Sequence, residues 1–283
     1  RRKEQGLSQS ELTTLGEFLL PEKLQDQVNE GTTILIAPHR ELHQIPWSAL
    51  FLGIEAQPLV TTSIPVVIPS LQTQVLLWSR HPQKRSYRNG LILAISDFQG
   101  RRPDLPQAIG EAKELIAQLD AGSGELIESV ATHENLFALA DEDSLSTYDF
   151  WHIASHAFHD PLTGRLSGIA LYDNDLWLEH MWELAPLPPL VTLSACNGTQ
   201  SLIHEGDEHI GLATTCLAAG AQQVVGSLWP VLDESVTQLV LDFYAQLRLG
   251  QDPARALAIS QRAALRRNED INCWGGFLCV GSV

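Results

Sequence analysis

The sequence predicts an α/β fold in which a mostly parallel sheet carries helices on both faces, and three observations predict it. Short apolar runs ending in small or polar residues recur through the second half: DFWHIASHAFHD from residue 149, LVTLSACNGT from 190 and QQVVGSLWP from 222. A buried parallel strand reads this way as it enters its loop. Segments with apolar residues at helical spacing separate such runs, so strands and helices alternate. Finally, 283 residues that are 44% hydrophobic and 18% charged can bury a sizeable core, at the upper size of a single domain.

Residues 1–30 read as a helical lead or linker from upstream sequence, an expectation strengthened by the initial Arg1. Residues 31–283 read as the domain, with an N-terminal part, 31–89, and a second part, 90–283. In the lead, Leu12, Leu15 and Leu19 repeat at helical spacing until Pro21 interrupts, although the Ser-x-x-Leu opening offers little capping logic. TTILIA, residues 32–37, is the first strand, and Pro46-Trp47 belong to the turn after it. His39 and His43 flank that turn and read as surface-loop residues beside a buried Trp47. TTSIPVVIPS is a further extended run, which Pro65 and Pro69 assign to a sheet edge because proline cannot donate to a ladder. Residues 76–90 are polar enough to be a connector.

A cleaner alternation follows. Residues 91–95 form a strand, and Ile109, Ala112, Ile116 and Leu119 mark the apolar stripe of the helix after Leu105-Pro106. ELIES gives a short strand. Residues 135–139 give a short helix capped by Thr132, with His133-Glu134 in its first turn. SGIALYD reads as a hairpin strand and LEHMWELAP as a short helix stopped by Pro186. The next helix starts near Gly206-Asp207-Glu208, where acidic residues suit the dipole. It carries Ile210, Ala213, Thr214 and Leu217 on one face and stops at Gly220. After the strand at 222–228, Val236, Leu239, Val240, Phe243, Tyr244 and Leu247 line a helix closed by Gly250.

The runs that end at His156 and Cys196 carry the candidate chemistry. Parallel neighbours joined by a right-handed crossover bring their carboxyl ends to one edge, where open α/β sheets place their sites. An ordinary thiol, with a pKa of about 8.5, is only a few per cent thiolate at neutral pH. An imidazole beside it takes the proton; the thiolate attacks an acyl carbon, and the imidazolium protonates the leaving amine. Cys196 lies between Ala195 and the Asn197-Gly198-Thr199 turn, which can aim backbone N–H groups at an oxyanion. A plain buried cysteine is the alternative at that position, since Cys is among the most buried residue types. His152 reads as a hydrogen-bonded core histidine. His159-Asp160 is read as a loop pair or as a group that orients His156. Asp233 and Glu234 follow the third run to the same edge, where a helix cap with a first-turn carboxylate is one reading.

HIASHAFHD and LVTLSACNGTQ resemble the His and Cys motifs of CHAT domains, caspase-like and separase-like cysteine peptidases often found behind helical repeats. ILIAPHRELHQIPWSALFL resembles the family's opening strand and Pro-aromatic turn, and LPQAIGEAKELIAQL its middle helix. The stretch from IGLATT to SQRA resembles its closing helix, strand and two helices, and WGGFLCVG its last strand, so residues 30–283 are covered. The resemblance implies a caspase-like fold and a cysteine endopeptidase acting on a protein substrate, with Cys196 as nucleophile and His156 as general base and acid. It implies an oxyanion hole from N–H groups near Ala157, Asn197 and Gly198, although the family usually has Gly where this chain has Ala157. Asp233 and Glu234 are its implied substrate-binding residues, in a pocket for a basic side chain; Pro230 stands where separases carry an acidic residue. The family further implies restraint by upstream repeats, a sensor domain or a regulatory partner. A catalytically degraded interaction module and a Cys-dependent acyltransferase are the alternatives.

Composition bounds the rest. The net charge of −16 argues against nucleic acid as a direct partner, and the basic clusters Arg1-Arg2-Lys3, Arg101-Arg102 and 262–267 read as solvated faces. Cys216, Cys273 and Cys279 show neither a CxxC pair nor finger-like His spacing, so no metal is expected, and the dyad chemistry needs no cofactor. Cys216, Cys279 and Cys273 read as core fillers, the last beside a loop. His204 and His209 flank an acidic segment without a metal-like spacing. Thiols in apolar surroundings suit a cytoplasmic protein, and the sequence has neither an 18-residue apolar run nor a signal peptide.

Overall fold

A computed structural model describes residues 7–25, 27–28, 31–53, 56–80, 86–158, 167–194, 201–203, 209–229, 231 and 234–282. Eight strands form its main sheet: β1 (Thr32–Ile36), β2 (Ser63–Val67), β3 (Gly90–Ala94), β4 (Gly124–Ile127), β5 (Phe150–Ala154), β6 (Leu190–Leu193), β7 (Gln223–Ser227) and β8 (Phe277–Gly281). Their order is β1-β2-β8-β7-β6-β5-β3-β4. From β7 to β4 every pairing is parallel. β8 runs antiparallel to β7, while β2 and β1 run with β8. The sheet is thus mostly parallel with one antiparallel junction. Every residue of β2, β3, β5, β6, β7 and β8 is buried, which is why these strands read as continuous apolar runs rather than as alternation.

Helices cover both faces. The longer ones are α1 (Gln9–Leu19), α2 (Leu71–Ser79), α3 (Pro106–Ile116), α4 (His133–Asp141), α5 (Leu212–Ala218), α6 (Glu234–Arg248) and α7 (Pro253–Arg266). α3 packs on β3 and α6, and α7 on α6, β2 and β8, so these three make one layer. From β5 through β6 to β7 the chain crosses the sheet in the direction opposite to that from β3 to β4. Right-handed crossovers therefore put α5 on the other face. A small three-stranded antiparallel sheet, Ala157–Phe158 with Gly168–Ala170 and Asp175–Trp177, stands beyond the end of β5.

Several expectations change. The proline-bearing run at 63–67 is not an edge strand: it lies between β1 and β8. Pro65 is tolerated because β2 meets β8 at the single pair Val280↔Val67, and the rest of that side forms no ladder. Residues 71–79, expected partly as connector, form α2, with Ser70 accepting from Thr73 N–H at 3.0 Å as its cap. Its outer face keeps Leu71, Val75, Leu76 and Trp78 exposed, so no clean amphipathic stripe marks it. α1 does have capping logic: Ser8 N–H donates to Glu11 Oε2 at 2.9 Å, and Glu11 N–H returns to Ser8 Oγ. α5 begins at Leu212 rather than near Gly206, because residues 209–211 pair with 201–203 as a strand. The segment after the hairpin is a 3₁₀ turn, Leu178–Trp182, instead of an α-helix.

The basic clusters are not simple solvated faces either. Arg262 donates to the carbonyls of Val60 and Ser63 at 2.6 and 3.0 Å, and Arg267 pairs with Asp242 and Glu269. Arg101 and Arg102 likewise bind the protein's own groups, whereas Arg1, Arg2 and Lys3 lie outside the described residues.

Gly168 sits in the middle strand of the small sheet, where an added Cβ would lie 2.2 Å from the backbone oxygen of Leu176. Gly168→Ala is expected to cost about 1–3 kcal/mol, read as a lowered urea midpoint. Gly110→Ala is the control. Nothing lies within 4 Å of that Cβ in α3, and alanine's helix propensity should raise stability by about 1 kcal/mol.

Candidate active site

Two loops meet where the winding of the sheet reverses. The chain leaves β3 for β4 through α3 on one face and leaves the adjacent β5 for β6 on the other. Open α/β sheets hold their ligands in the crevice between such strands. His156 lies just past β5, and residues 96–105 form the loop past β3. The half-buried His156 ring packs 4.8 Å from Phe98, centroid to centroid, and its Nε2 lies 2.7 Å from the Pro103 carbonyl oxygen. A carbonyl only accepts, so Nε2 carries the proton and Nδ1 is the basic nitrogen.

The next residue bears on charge stabilisation. Ala170 N–H donates to the His156 carbonyl at 2.8 Å, so Ala157 and Ile169 face each other as a non-hydrogen-bonded pair of the antiparallel ladder. The Ala157 N–H therefore points away from that strand. Ala157 is 7% exposed and belongs to the hydrophobic core, so its methyl group is taken up by packing.

The same sheet edge holds a cavity of about 260 Å³. Asp104, Leu105 and Glu111 line it from the β3–α3 side, Ala154 and Ser194 from the ends of β5 and β6, and Val231 and Thr237 from the α6 side. Glu111 is 4% exposed because α3 turns Ala108, Glu111, Ala112 and Leu115 inward. Its Oε1 lies 3.0 Å from His152 Nε2, and His152 Nδ1 lies 3.1 Å from the Tyr244 hydroxyl. A carboxylate only accepts, so His152 Nε2–H donates to Glu111 and Nδ1 is left to accept from the Tyr244 hydroxyl. Burial raises the Tyr244 pKa well above the usual phenol value. His152 is fully buried, the hydrogen-bonded core histidine that its strand position suggested.

Cys196, Asn197, Gly198, Asp233, Pro230, His159, Asp160 and His204 lie outside the described residues, as do the side chains of Glu234 and His209. What is described is the strand leading to the cysteine. Ser194 N–H donates to the Ile153 carbonyl at 2.9 Å, so the chain stays paired with β5 past the end of β6. Two other thiols are poor nucleophiles. Burial pushes Cys216 up to about 12 and moves Cys279 upward as well, so neither is thiolate at neutral pH. Cys273 is half-buried in the short helix Ile271–Trp274 rather than beside a loop. Among the described residues, no group of three or more His, Cys, Asp or Glu could hold a metal, and no helix is long and apolar enough to cross a membrane.

Sequence reading missed Phe98, the Pro103 carbonyl and Glu111. The carbonyl leaves no signal, since any residue carries one. Glu111 did leave one: it occupies a position in an i, i+3, i+4, i+7 set that is otherwise Ala108, Ala112 and Leu115.

The fold has known counterparts. It is similar to the Saccharomyces cerevisiae separase–securin complex, with a TM-score of 0.60 and 17% identity to the matched chain, over 88% of this chain and 15% of that one. It is similar to the Arg-specific cysteine proteinase gingipain R, with a TM-score of 0.63 and 10% identity, over 95% of this chain and 67% of that one. A complex of Porphyromonas gingivalis RgpB pro- and mature domains matches with the same score and identity, over 95% and 68%. This chain thus spans about 15% of the separase chain's length. No curated protein matches it. At these identities the likeness speaks to fold, which is the caspase-like α/β sheet. The profile of the CHAT domain matches residues 9–282, almost the whole sequence, and the chain belongs to the CHAT domain family.

Proposed function

We propose that the protein is a caspase-like cysteine endopeptidase with Cys196 as nucleophile and His156 as general base and acid. One observation carries this reading: the 2.7 Å bond from His156 Nε2–H to Pro103 fixes the ring and leaves Nδ1 basic at the sheet edge toward which β6 runs. In the proposed cycle the Cys196 thiol proton passes to Nδ1, and the thiolate adds to the peptide carbonyl. The imidazolium then gives that proton to the departing amine, leaving an acyl-enzyme. Water attacks it, its proton goes to Nδ1, and collapse releases the acid and the thiolate. The Ala157 N–H, unused by its ladder, supports an oxyanion role, with N–H groups of Asn197 and Gly198 as proposed co-donors. Packing of Ala157 among core residues supports the peptidase reading over the degraded module, because the methyl group that replaces Gly is taken up by the protein.

The cavity is the proposed pocket for the residue on the acyl side of the scissile bond. Asp104 and Glu111 line it, and Asp233 and Glu234 fall in sequence between two other lining residues, Val231 and Val236. The two described carboxylates, with Asp233 and Glu234 as proposed additions, favour a cationic side chain. The likeness to an Arg-specific proteinase points the same way. Control by an upstream domain or a protein partner is proposed from the family and from the securin complex of the separase neighbour, and a cytoplasmic location from its buried thiols.

The test is intact-mass detection of covalent adducts with peptidyl acyloxymethyl ketones ending in Arg, Leu or Asp, on the native protein and on Cys196→Ala. A single adduct, formed fastest by the Arg probe and absent from Cys196→Ala, is expected. No adduct with any probe, upstream sequence included, would leave the interaction module as the better account. Adduct formation together with transfer of acyl groups to added amines, and no hydrolysis, would favour the acyltransferase.

A further inference from the structure

We propose that Arg102 is a positioning residue that sets the orientation of His156 by holding the loop that carries the Pro103 carbonyl. Pro103 can fix the imidazole only if its own place relative to β5 is fixed, and β3 alone does not do that, because the loop runs on past the strand end at Ala94. Ser96 and Asp97 tie the start of the loop to Glu128, and Arg102 ties its far part, next to Pro103, to the small sheet beyond β5. Its guanidinium donates to both carboxylate oxygens of Asp175, at 2.9 and 2.8 Å, and its Cζ stands 4.3 Å from the centroid of the Phe158 ring. Phe158 packs edge-on against Trp177, at 5.4 Å between centroids. Neighbouring Arg101 donates to the carbonyls of Leu171, at 2.8 Å, and Tyr172.

These contacts close a ring through the small sheet. From His156 the ring nitrogen leads to Pro103, the next residue Arg102 leads to Asp175, and Asp175 is paired with Ala170. Ala170 N–H then returns to the His156 carbonyl at 2.8 Å, and Ser155 Oγ donates to the Ala170 carbonyl at 2.6 Å. The imidazole and the carbonyl that orients it are thus referenced to one rigid element. Both bonds come from Nη2, and the flat guanidinium holds them while its face lies over the Phe158 ring; lysine could keep the ion pair as a point charge but has no flat face to stack. The pair is partly screened, at 27% and 18% side-chain exposure, so its consequence is geometric more than energetic.

This rests on the peptidase reading, and the test separates the two. In Cys196→Ala, where no thiol proton can reach Nδ1, long-range proton–nitrogen spectra of labelled histidines at alkaline pH should give His156 a single Nε2–H tautomer. With Arg102→Gln or Asp175→Asn added to that background the signal should become a mixture of tautomers. With the preferred ketone, the limiting rate of inactivation should fall about 10- to 100-fold at unchanged half-saturation, the pattern of a misplaced group rather than a lost binding contact. Arg102→Lys should recover only part of it. Placed on His156→Ala, Arg102→Gln should produce no further fall, since a residue acting through His156 has nothing left to act on. An unchanged tautomer in Arg102→Gln overturns the proposal, and so does an equal fall on the His156→Ala background. A changed tautomer in a protein that no probe labels supports the positioning role while sinking the peptidase reading.

Discussion

Replacing His156 with alanine is expected to slow labelling of Cys196 at pH 7 by about 10²- to 10⁴-fold, the usual worth of a positioned general base. Up to about 30-fold of this is the fraction of thiolate. With an ordinary pKa of about 8.5, the unaided thiol supplies only a few per cent of the nucleophile at neutral pH. On the peptidase reading the basic Nδ1 left by the Nε2–H bond to Pro103 takes that proton, which should extend labelling below the pH at which an unaided thiol ionises. The two proteins should therefore differ in pH profile. Native labelling should be nearly flat between pH 7 and pH 9, whereas His156→Ala should gain about tenfold per pH unit below the thiol's own pKa and level off above it. Above that point the remaining gap measures what the imidazole adds beyond deprotonation, the placement of the thiolate, since the carboxylate of the ketone probe leaves without a proton. Collapse of the fold is not a competing explanation if the urea midpoint holds. The half-buried ring gives up one hydrogen bond and one ring contact, worth about 1 kcal/mol together. Parallel profiles for the two proteins would show that this imidazole does not activate the thiol.

How much of this was legible before the structure depended on where the information lay. Strands buried on both faces announced themselves, because β3, β5, β6 and β7 leave no room for a polar alternation. Helix α6 was equally plain, with Val236, Leu239, Val240, Phe243 and Leu247 buried as their spacing required. Position in the sheet was not legible for β2, since the rule against proline in central strands assumes a full ladder on both sides, and β2 has one on a single side. The α3 stripe Ile109, Ala112, Ile116 and Leu119 holds at the fully buried Ala112, while the other three are only partly buried, because the buried face is centred toward Ala108, Glu111 and Leu115 and a charged residue does not mark an apolar face. The candidate base His156 was legible as a side chain at a strand end. Its orientation was not, because it depends on a backbone carbonyl and on Arg102, whose partner Asp175 lies 73 residues away. Charge run alone made Arg101-Arg102 look solvated; tertiary contact gave each a partner.

The second large effect concerns Glu111. Glu111→Ala is expected to lower stability by about 3 kcal/mol, whatever becomes of the peptidase reading. Two losses add. The Nε2–H of His152, at a residue fully buried, loses its acceptor, and an unsatisfied buried donor costs about 1–3 kcal/mol. The side-chain atoms of a residue 4% exposed leave a space beside the existing cavity, a further loss of about 1 kcal/mol, held down because water can enter from the open side. Glu111→Gln separates the causes. Its amide oxygen can still accept from His152, so the stability loss should stay below about 1 kcal/mol while the negative charge disappears from the pocket. The pocket proposal predicts that this same variant loses preference for an Arg-ended probe over a Leu-ended one without losing its fold. A stability loss in Glu111→Gln as large as that in Glu111→Ala would mean that the charge itself holds α3 to β5. A preference unchanged in Glu111→Gln would leave Asp104, at the mouth of the helix, as the described carboxylate to test next.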